Sequence, residues 1–308
     1  MDHYLSIADL SPAEFQGLLD KAQALKDKWA AGGNSPLLGG KTLGMLFQKP
    51  SLRTRVSFDM GMIHLGGQAL YLSPNEIKLG ARESVPDVAR VLSRYVDGIM
   101  ARVFAHDHIL QLAKHSCVPV INGLSDYNHP CQGLTDFFTI YEKKGALKGL
   151  KLVYVGDGNN VARSLLVGAA KLGMDFVLAG PEGYQLSAQD IDLAQGLSAE
   201  SGSKIEQTSD VHAAVSGAHA IYTDSWYSMG QEAEAKERAR LFPPYQVNEA
   251  LVAEAREDVI VMHCLPAHRG QEITDAVADG PHSVLFDQAE NRMHAQKAIL
   301  VELMGDSG

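Results

Sequence analysis

Pro50-Ser51-Leu52-Arg53-Thr54-Arg55 follows a short apolar run, residues 43–47, and precedes an amphipathic stretch that ends at Gly66-Gly67. An apolar run bounded by a proline and followed by helical spacing predicts a strand, a turn and a helix. The turn carries two hydroxyls and two guanidiniums. Backbone N–H groups at a helix start lack intrahelical partners and the dipole is positive there, so an anion is favoured; hydroxyls and forked guanidiniums add donors matched to a dianionic phosphate. There is no Walker lysine. Taken alone, the same residues also fit a serine N-cap followed by two solvated arginines.

Outward from this unit the same alternation continues. The first half offers strands at 43–47, 68–72, 98–102 and 118–122, and a helix after Ser84 with Pro86 in its first turn and Asp87 three residues past the cap. A long helix at 131–141, with Lys143-Lys144-Gly145 at its end, is the expected bridge to a second α/β region. Strands are expected there at 151–155, 176–179, 204–207, 220–223, 259–262 and 284–286, then a last helix from about 288 to 304, while Phe242-Pro243-Pro244 reads as a surface loop. Strands alternating with helices imply parallel sheets covered by helices. The expected fold is therefore α/β, with two doubly wound domains and the active site in the cleft between them: 1–142, joined by the C-terminal helix 288–308, and 143–287.

A chain of 308 residues with ordinary apolar content suits two domains. A net charge of −10 argues against a nucleic-acid surface, so an anionic ligand must be held by local positive groups. Cys117, Cys131 and Cys264 are too few and too scattered for a disulfide framework or a zinc site, which predicts a reducing compartment. No apolar run approaches the ~20 residues of a membrane span. Met1-Asp2-His3-Tyr4 lacks the basic start of a targeting signal, so the chain reads as cytoplasmic and complete.

Open α/β sheets bind ligands beyond the carboxyl ends of their strands, so the residues after each strand matter most. Arg102 and Asn122 close two strands, and His129-Pro130-Cys131-Gln132 opens the bridging helix. In the second half, Gly156-Asp157-Gly158-Asn159-Asn160, Asp224-Ser225-Trp226-Tyr227-Ser228-Met229-Gly230 and His263-Cys264-Leu265-Pro266 each follow a strand. The glycine loop is not a dinucleotide fingerprint, since Val161 stands where the third glycine is needed and Gly180-Pro181 where an acid is needed. Asn160 either meets a small polar ligand or simply caps its helix. His129 fits a turn before proline when read alone, Cys131 fits a small buried apolar residue, and Cys264 beside His263 fits a covalent nucleophile. Against the last, neighbours on a strand point to opposite faces. Residues 230–240, rich in Glu, Lys and Arg, fit a solvated helix or a loop that closes over a ligand.

Ser51-Leu52-Arg53-Thr54-Arg55, His129-Pro130-Cys131-Gln132, the Asp224–Gly230 run and His263-Cys264-Leu265-Pro266 together resemble the aspartate/ornithine carbamoyltransferase family. The resemblance takes in Asp157-Gly158-Asn159-Asn160 and the closing stretch 286–298, and so nearly the whole chain. It implies transfer of a carbamoyl group from carbamoyl phosphate to the δ-amine of L-ornithine, with no cofactor and no metal. On that resemblance Ser51, Leu52 (through its amide), Arg53 and Thr54 bind the phosphate. Arg102, His129 and Gln132 surround the carbamoyl group, Pro130 and Cys131 belong to the same carbamoyl-phosphate-binding set, and Arg292 reaches the phosphate from the last helix. Asn160, Asp224, Ser228 and Met229 receive ornithine, and Cys264 and Leu265 touch both substrates. Arg102, His129, Asp224 and Cys264 are the expected catalytic set.

Two residues depart from the family pattern. Leu52 replaces a common threonine and offers only its backbone, and Lys78 stands where glutamine is usual among the ornithine enzymes. Lys78 either adds a charge to a neighbouring subunit's phosphate, since the resemblance implies a homotrimer with shared sites, or is a solvated lysine. An aspartate-specific relative would need basic residues for a second carboxylate, whereas Asp224 suits a cationic partner. Relatives acting on putrescine or acetylornithine lack the Ser228-Met229-Gly230 set. A silent binding paralogue would have lost some of the four catalytic residues, and all are present.

Overall fold

The computed structural model describes residues 1–227 and 234–305. It resolves into two compact units, Met1–Phe138 with Glu290–Gly308, and Thr139–Ala289.

The first unit begins with α1 (Pro12–Ala30), started by a capping box in which Ser11 and Glu14 satisfy each other's backbone N–H. A parallel sheet follows, built from β1 (Thr42–Phe47), β2 (Gln68–Leu72), β3 (Gly98–Arg102) and β4 (Val120–Leu124) in the order β2-β1-β3-β4. Its helices are α2 (Leu52–His64), α3 (Pro74–Ile77), α4 (Val85–Leu92) and α5 (His106–His115). The Ser84 cap is as expected, with its hydroxyl accepting from Asp87 N. Strands β1 and β3 are apolar along almost their whole length because both faces are covered. Leu46, Val88, Ala89, Ile99, Ala101, Ile109, Leu112 and Val120 form one core cluster there. Each buried leucine, isoleucine or valine among them contributes on the order of 1.5–3 kcal/mol.

Helix α6 (Pro130–Lys144) carries the chain into the second unit. There β5 (Lys151–Val155), β6 (Asp175–Ala179), β7 (Ile205–Thr208), β8 (Ala220–Thr223) and β9 (Ile260–His263) pair in parallel in the order β7-β6-β5-β8-β9. They are covered by α7 (Asn160–Leu172), α8 (Ala188–Ser201), α9 (Val211–Val215), α10 (Ala235–Leu241), α11 (Glu249–Val252) and α12 (Asp275–Ala278). The core gathers Val153, Val155, Ile221, Val247, Val261 and Ile273. Helix α13 (Leu285–Met304) starts in this unit and ends in the first.

Four expectations need correction. The expected strand at 284–286 is no strand. Val261 donates to His282 O at 2.8 Å and accepts from Val284 N at 3.0 Å, and the chain then turns straight into α13, with Gln288 N bonded to Val284 O at 2.8 Å. The apolar Val284-Leu285-Phe286 signal serves a helix start instead. The fourth strand begins at Val120, two residues late, because the Ser116 hydroxyl bonds both N–H and C=O of Val118 and holds a turn there. Asn122 consequently lies inside that strand. Phe242 is fully buried and Pro243–Tyr245 is a 3-10 turn, so only the two prolines of the expected surface loop face outward.

Candidate active site

In both sheets the strand order reverses once, between β1 and β3 in the first and between β5 and β8 in the second. At such a switch point neighbouring connections leave in opposite directions and open a crevice beyond the strand ends. Among the described residues, the predicted Ser51, Arg53 and Thr54 follow β1, Arg102 ends β3, Asn160 follows β5 and Asp224 follows β8.

In the first unit the turn after β1 opens α2. Ser51 is the N-cap, its hydroxyl accepting from Thr54 N at 3.3 Å and donating to Thr54 Oγ1 at 3.1 Å. Leu52 is the first helical residue and 76% exposed, so its side chain holds nothing and its amide lies at the helix start. Arg53 Nε is buried without a hydrogen-bond partner. Arg55 departs from the initial phosphate reading, because its guanidinium lies over the Tyr71 ring at 4.1 Å. Arg102 ends β3, its carbonyl accepting from Gln48 N at 2.8 Å.

His129 precedes α6 and Gln132 lies in its first turn; both are buried, and Gln132 N bonds to His129 O at 3.1 Å. Arg292, on α13, ties the set together. Its Nη2 donates to Thr54 Oγ1 at 2.7 Å and lies 3.4 Å from His129 Nε2, while its Nη1 donates to Gln132 Oε1 at 3.1 Å. Gln132 is in turn anchored by donating to the buried Asp136 at 2.8 Å, a residue that carried no sequence signal. Burial holds His129 neutral well below its usual range, and Arg292, Arg102 and Arg53 push it further the same way. Arg292 thus faces this imidazole directly, and Arg102 and Arg53 act on it electrostatically. Pro130 accepts from the Tyr4 hydroxyl at 3.0 Å. Cys131 is fully buried, donates to Asn122 O at 3.3 Å, and has its thiol pushed up to about 12 by burial. It is an inert packing residue beneath the set. Lys78 is exposed, in the left-handed region at φ 44°, at the end of α3.

In the second unit Asp224 follows β8 and Cys264 follows β9. The Cys264 thiol donates to Asp224 Oδ1 at 3.1 Å, and that oxygen also accepts from Ser225 N at 2.8 Å. After β5 it is Asn159, not Asn160, that caps α7; Asn160 is the first helical residue, half-buried. His263 is no base for Cys264. Its Nδ1 accepts from Leu265 N at 2.8 Å and its Nε2 faces the buried Glu272 at 3.1 Å. This clamp holds Leu265 at φ 59°, a left-handed conformation costly for a leucine. Ligand atoms of Asp224, His263 and Cys264 lie within 4.8 Å of one another, but the nitrogens of His263 are already committed. Ser228 and Met229 lie outside the described residues, as do the first four residues, 230–233, of the expected closing stretch 230–240. The remainder of that stretch is helical from Ala235, and its Arg238 is buried, not solvated, donating to Trp226 O at 2.7 Å and pairing with Asp157 at 3.1 Å. Neither Asn159, Glu272 nor Arg238 was singled out by motif; a polar residue directly before a helix was the only available cue, and it pointed equally to Asn160.

Among the described residues no helix is long and apolar enough to cross a membrane. Residues 2–142 match the family described as aspartate/ornithine carbamoyltransferase, carbamoyl-P binding domain, and residues 148–303 match the same family's Asp/Orn binding domain. The chain is 56% identical over 301 residues to the ornithine carbamoyltransferase of Pyrococcus abyssi, covering 98% of this chain and 95% of that protein. It is 56% identical to the anabolic ornithine carbamoyltransferase of Pyrococcus furiosus, over 98% and 96% of the two chains. The solved structure of ornithine carbamoyltransferase from Pyrococcus furiosus superposes with a TM-score of 0.96 at 55% identity, covering 98% and 96%.

Proposed function

The chain belongs to the aspartate/ornithine carbamoyltransferase family, and from that premise we infer that it transfers the carbamoyl group of carbamoyl phosphate to the δ-amine of L-ornithine, giving L-citrulline and phosphate. One observation carries the division of labour: guanidiniums converge at the first switch point and a carboxylate stands at the second. Opposite local charge suits an anionic and a cationic substrate respectively. Residues 1–142 with 288–308 serve carbamoyl phosphate, and 143–287 serve ornithine.

Ser51, Arg53, Thr54 and Arg292 take the phosphate, with the Leu52 amide at the helix start. Arginine nitrogens can only donate, so the His129 Nε2 that faces Arg292 is the lone-pair nitrogen and the proton sits on Nδ1, ready for the carbamoyl oxygen. The δ-amine attacks the carbonyl carbon, a tetrahedral oxyanion forms, and phosphate leaves with the C–O bond electrons. Arg102, His129 and Thr54 donate to that oxyanion, each supplying about 2.7–4 kcal/mol. Holding the two substrates in line supplies about 7–11 kcal/mol more. Gln132 orients the carbamoyl amide. Asn160, Asp224, Ser228 and Met229 receive ornithine, and Cys264 and Leu265 line the reacting end.

The amine attacks only when neutral, and a lysine-like amine with a pKa of about 10.4 costs roughly 4–5 kcal/mol to deprotonate at pH 7. The departing phosphate accepts the proton afterwards. kcat/KM therefore rises from neutrality to about pH 9; a flat profile with chemistry rate-limiting contradicts this scheme. The exposed Leu52, Val56 and Ile63, spaced along one face of α2, support a homo-oligomer, which we take to be a trimer acting in the cytoplasm. Lys78 then serves a neighbouring copy's phosphate. Light scattering reads the assembly, and an unchanged KM for carbamoyl phosphate in Lys78→Met returns that residue to a solvated role. The decisive assay is citrulline formation from carbamoyl phosphate with ornithine, against aspartate, putrescine and acetylornithine. No citrulline with ornithine ends this reading.

A further inference from the structure

The loop after β5 is built without slack. A Cβ on Gly158 would lie 2.5 Å from Leu186 N, and one on Gly180 would lie 2.2 Å from Gly156 O, so both positions exclude any other residue. What this packing fixes is the place of Asn159. Its Oδ1 accepts from Val161 N at 2.9 Å, Ala162 N at 3.0 Å and the Tyr154 hydroxyl at 3.2 Å. Two backbone N–H groups aimed at one amide atom require that atom to be the oxygen, so Nδ2 must face the other way. It faces Asp224, donating to Oδ2 at 2.8 Å across the β5/β8 switch point. Tyr154 is itself fully buried and stacked on Tyr222, with centroids 5.5 Å apart and planes 14° from parallel.

Asp224 thus has one oxygen held by its own neighbour Ser225 and by Cys264, and the other held by Asn159. Without the second hold the carboxylate can pivot about Oδ1. We propose that Asn159 is a positioning residue that sets the orientation in which Asp224 meets ornithine. This rests on the ornithine reading of the site above.

Capping and positioning are separable by substitution. Asn159→Asp keeps the cap oxygen, and suits the helix dipole, but turns the donor facing Asp224 into a second acceptor. Asn159→Ser keeps a capping hydroxyl and removes the donor. A hydrogen bond to a charged group is worth about 1.5–3 kcal/mol, so both variants should raise KM for ornithine roughly 10- to 100-fold. The KM for carbamoyl phosphate should stay within about 2-fold, and the Tm of Asn159→Ser, which keeps a capping hydroxyl and sets no second carboxylate against Asp224, should stay close to that of the wild type. An ornithine KM within 2-fold of wild type in Asn159→Asp overturns the proposal. So does a joint rise of both KM values with a fallen Tm in the two variants, or failure of both to fold, each of which makes the residue purely structural. Wild-type activity on ornithine is measured alongside; its absence would sink the substrate reading instead.

Discussion

The two ligand sets occupy equivalent places, each at the strand-order reversal of its own sheet, yet they are made differently. In the first unit Thr54, His129, Gln132 and Arg292 are all at most 4% exposed and bonded to one another over separations as long as 238 residues. In the second, Asp224, Cys264 and Asn159 are half-buried and held by backbone amides and by each other. Taking cations out of water is expensive, and several guanidiniums around a neutral imidazole suit an anionic ligand that would supply the missing charge. A half-exposed carboxylate carries a smaller desolvation cost and needs only orientation. The difference teaches that the guanidinium set is organised chiefly by burial and the carboxylate set by local hydrogen bonding.

That contrast can be attacked at graded strength. Arg102→Ala should lower kcat by about 10²–10³-fold, the loss typical of one preorganised oxyanion donor, read in the citrulline assay. A loss confined to KM would move Arg102 out of the transition state. Asp224→Asn should raise the ornithine KM by roughly 10- to 100-fold while leaving the carbamoyl phosphate KM nearly unchanged. Equal effects on both would erase the separation of the two sets.

Acid stability tests the burial side. The first unit buries His129, held well below 6.5, and His294, lowered to about 3, in each case chiefly by burial. An unfolded histidine binds a proton near 6.5, so below that pH the unfolded chain takes up more protons than the folded one. The stability these groups allow is complete above pH 6.5 and drains away as pH falls toward their folded values. Tm should drop by several degrees between pH 7 and pH 5, and less in His294→Asn; a Tm independent of pH over that window refutes the sign. The smallest catalytic effect belongs to Leu52→Ala, whose exposed side chain holds nothing within its own unit, so the KM for carbamoyl phosphate should be nearly unchanged. A KM for carbamoyl phosphate displaced more than a few-fold would show that position 52 does more than offer its amide.

Much of this was legible along the chain because it is local. Alternating apolar runs and helical spacing located nine parallel strands within a residue or two, and Ser51 and Ser84 announced their helices as N-caps. Val284-Leu285-Phe286 misled because an apolar triplet carries the same signal whether it opens a helix or extends a strand. Arg53 and Arg55 are indistinguishable in composition, and only the ring of Tyr71, on β2, separates them. Asp136, Glu272 and Asn159 stayed hidden for another reason. Glu272 and Asn159 bond to residues nine and sixty-five positions away, which no periodicity encodes, while Asp136 meets Gln132 at ordinary i,i+4 helical spacing that nothing marked as special.

Helix α13 has a consequence for the order in which the molecule comes into being. The chain leaves the first unit at Phe138 and re-enters it at Glu290, so the second unit is an insertion within the first. Ribosomal synthesis runs from the N-terminus, and Arg292 is therefore made only after the whole insertion has been translated. Until then Thr54, His129 and Gln132 lack the guanidinium that joins them. A nascent chain can shape the inserted unit early, but it completes the Thr54–His129–Gln132–Arg292 network only when that unit lies entirely behind it.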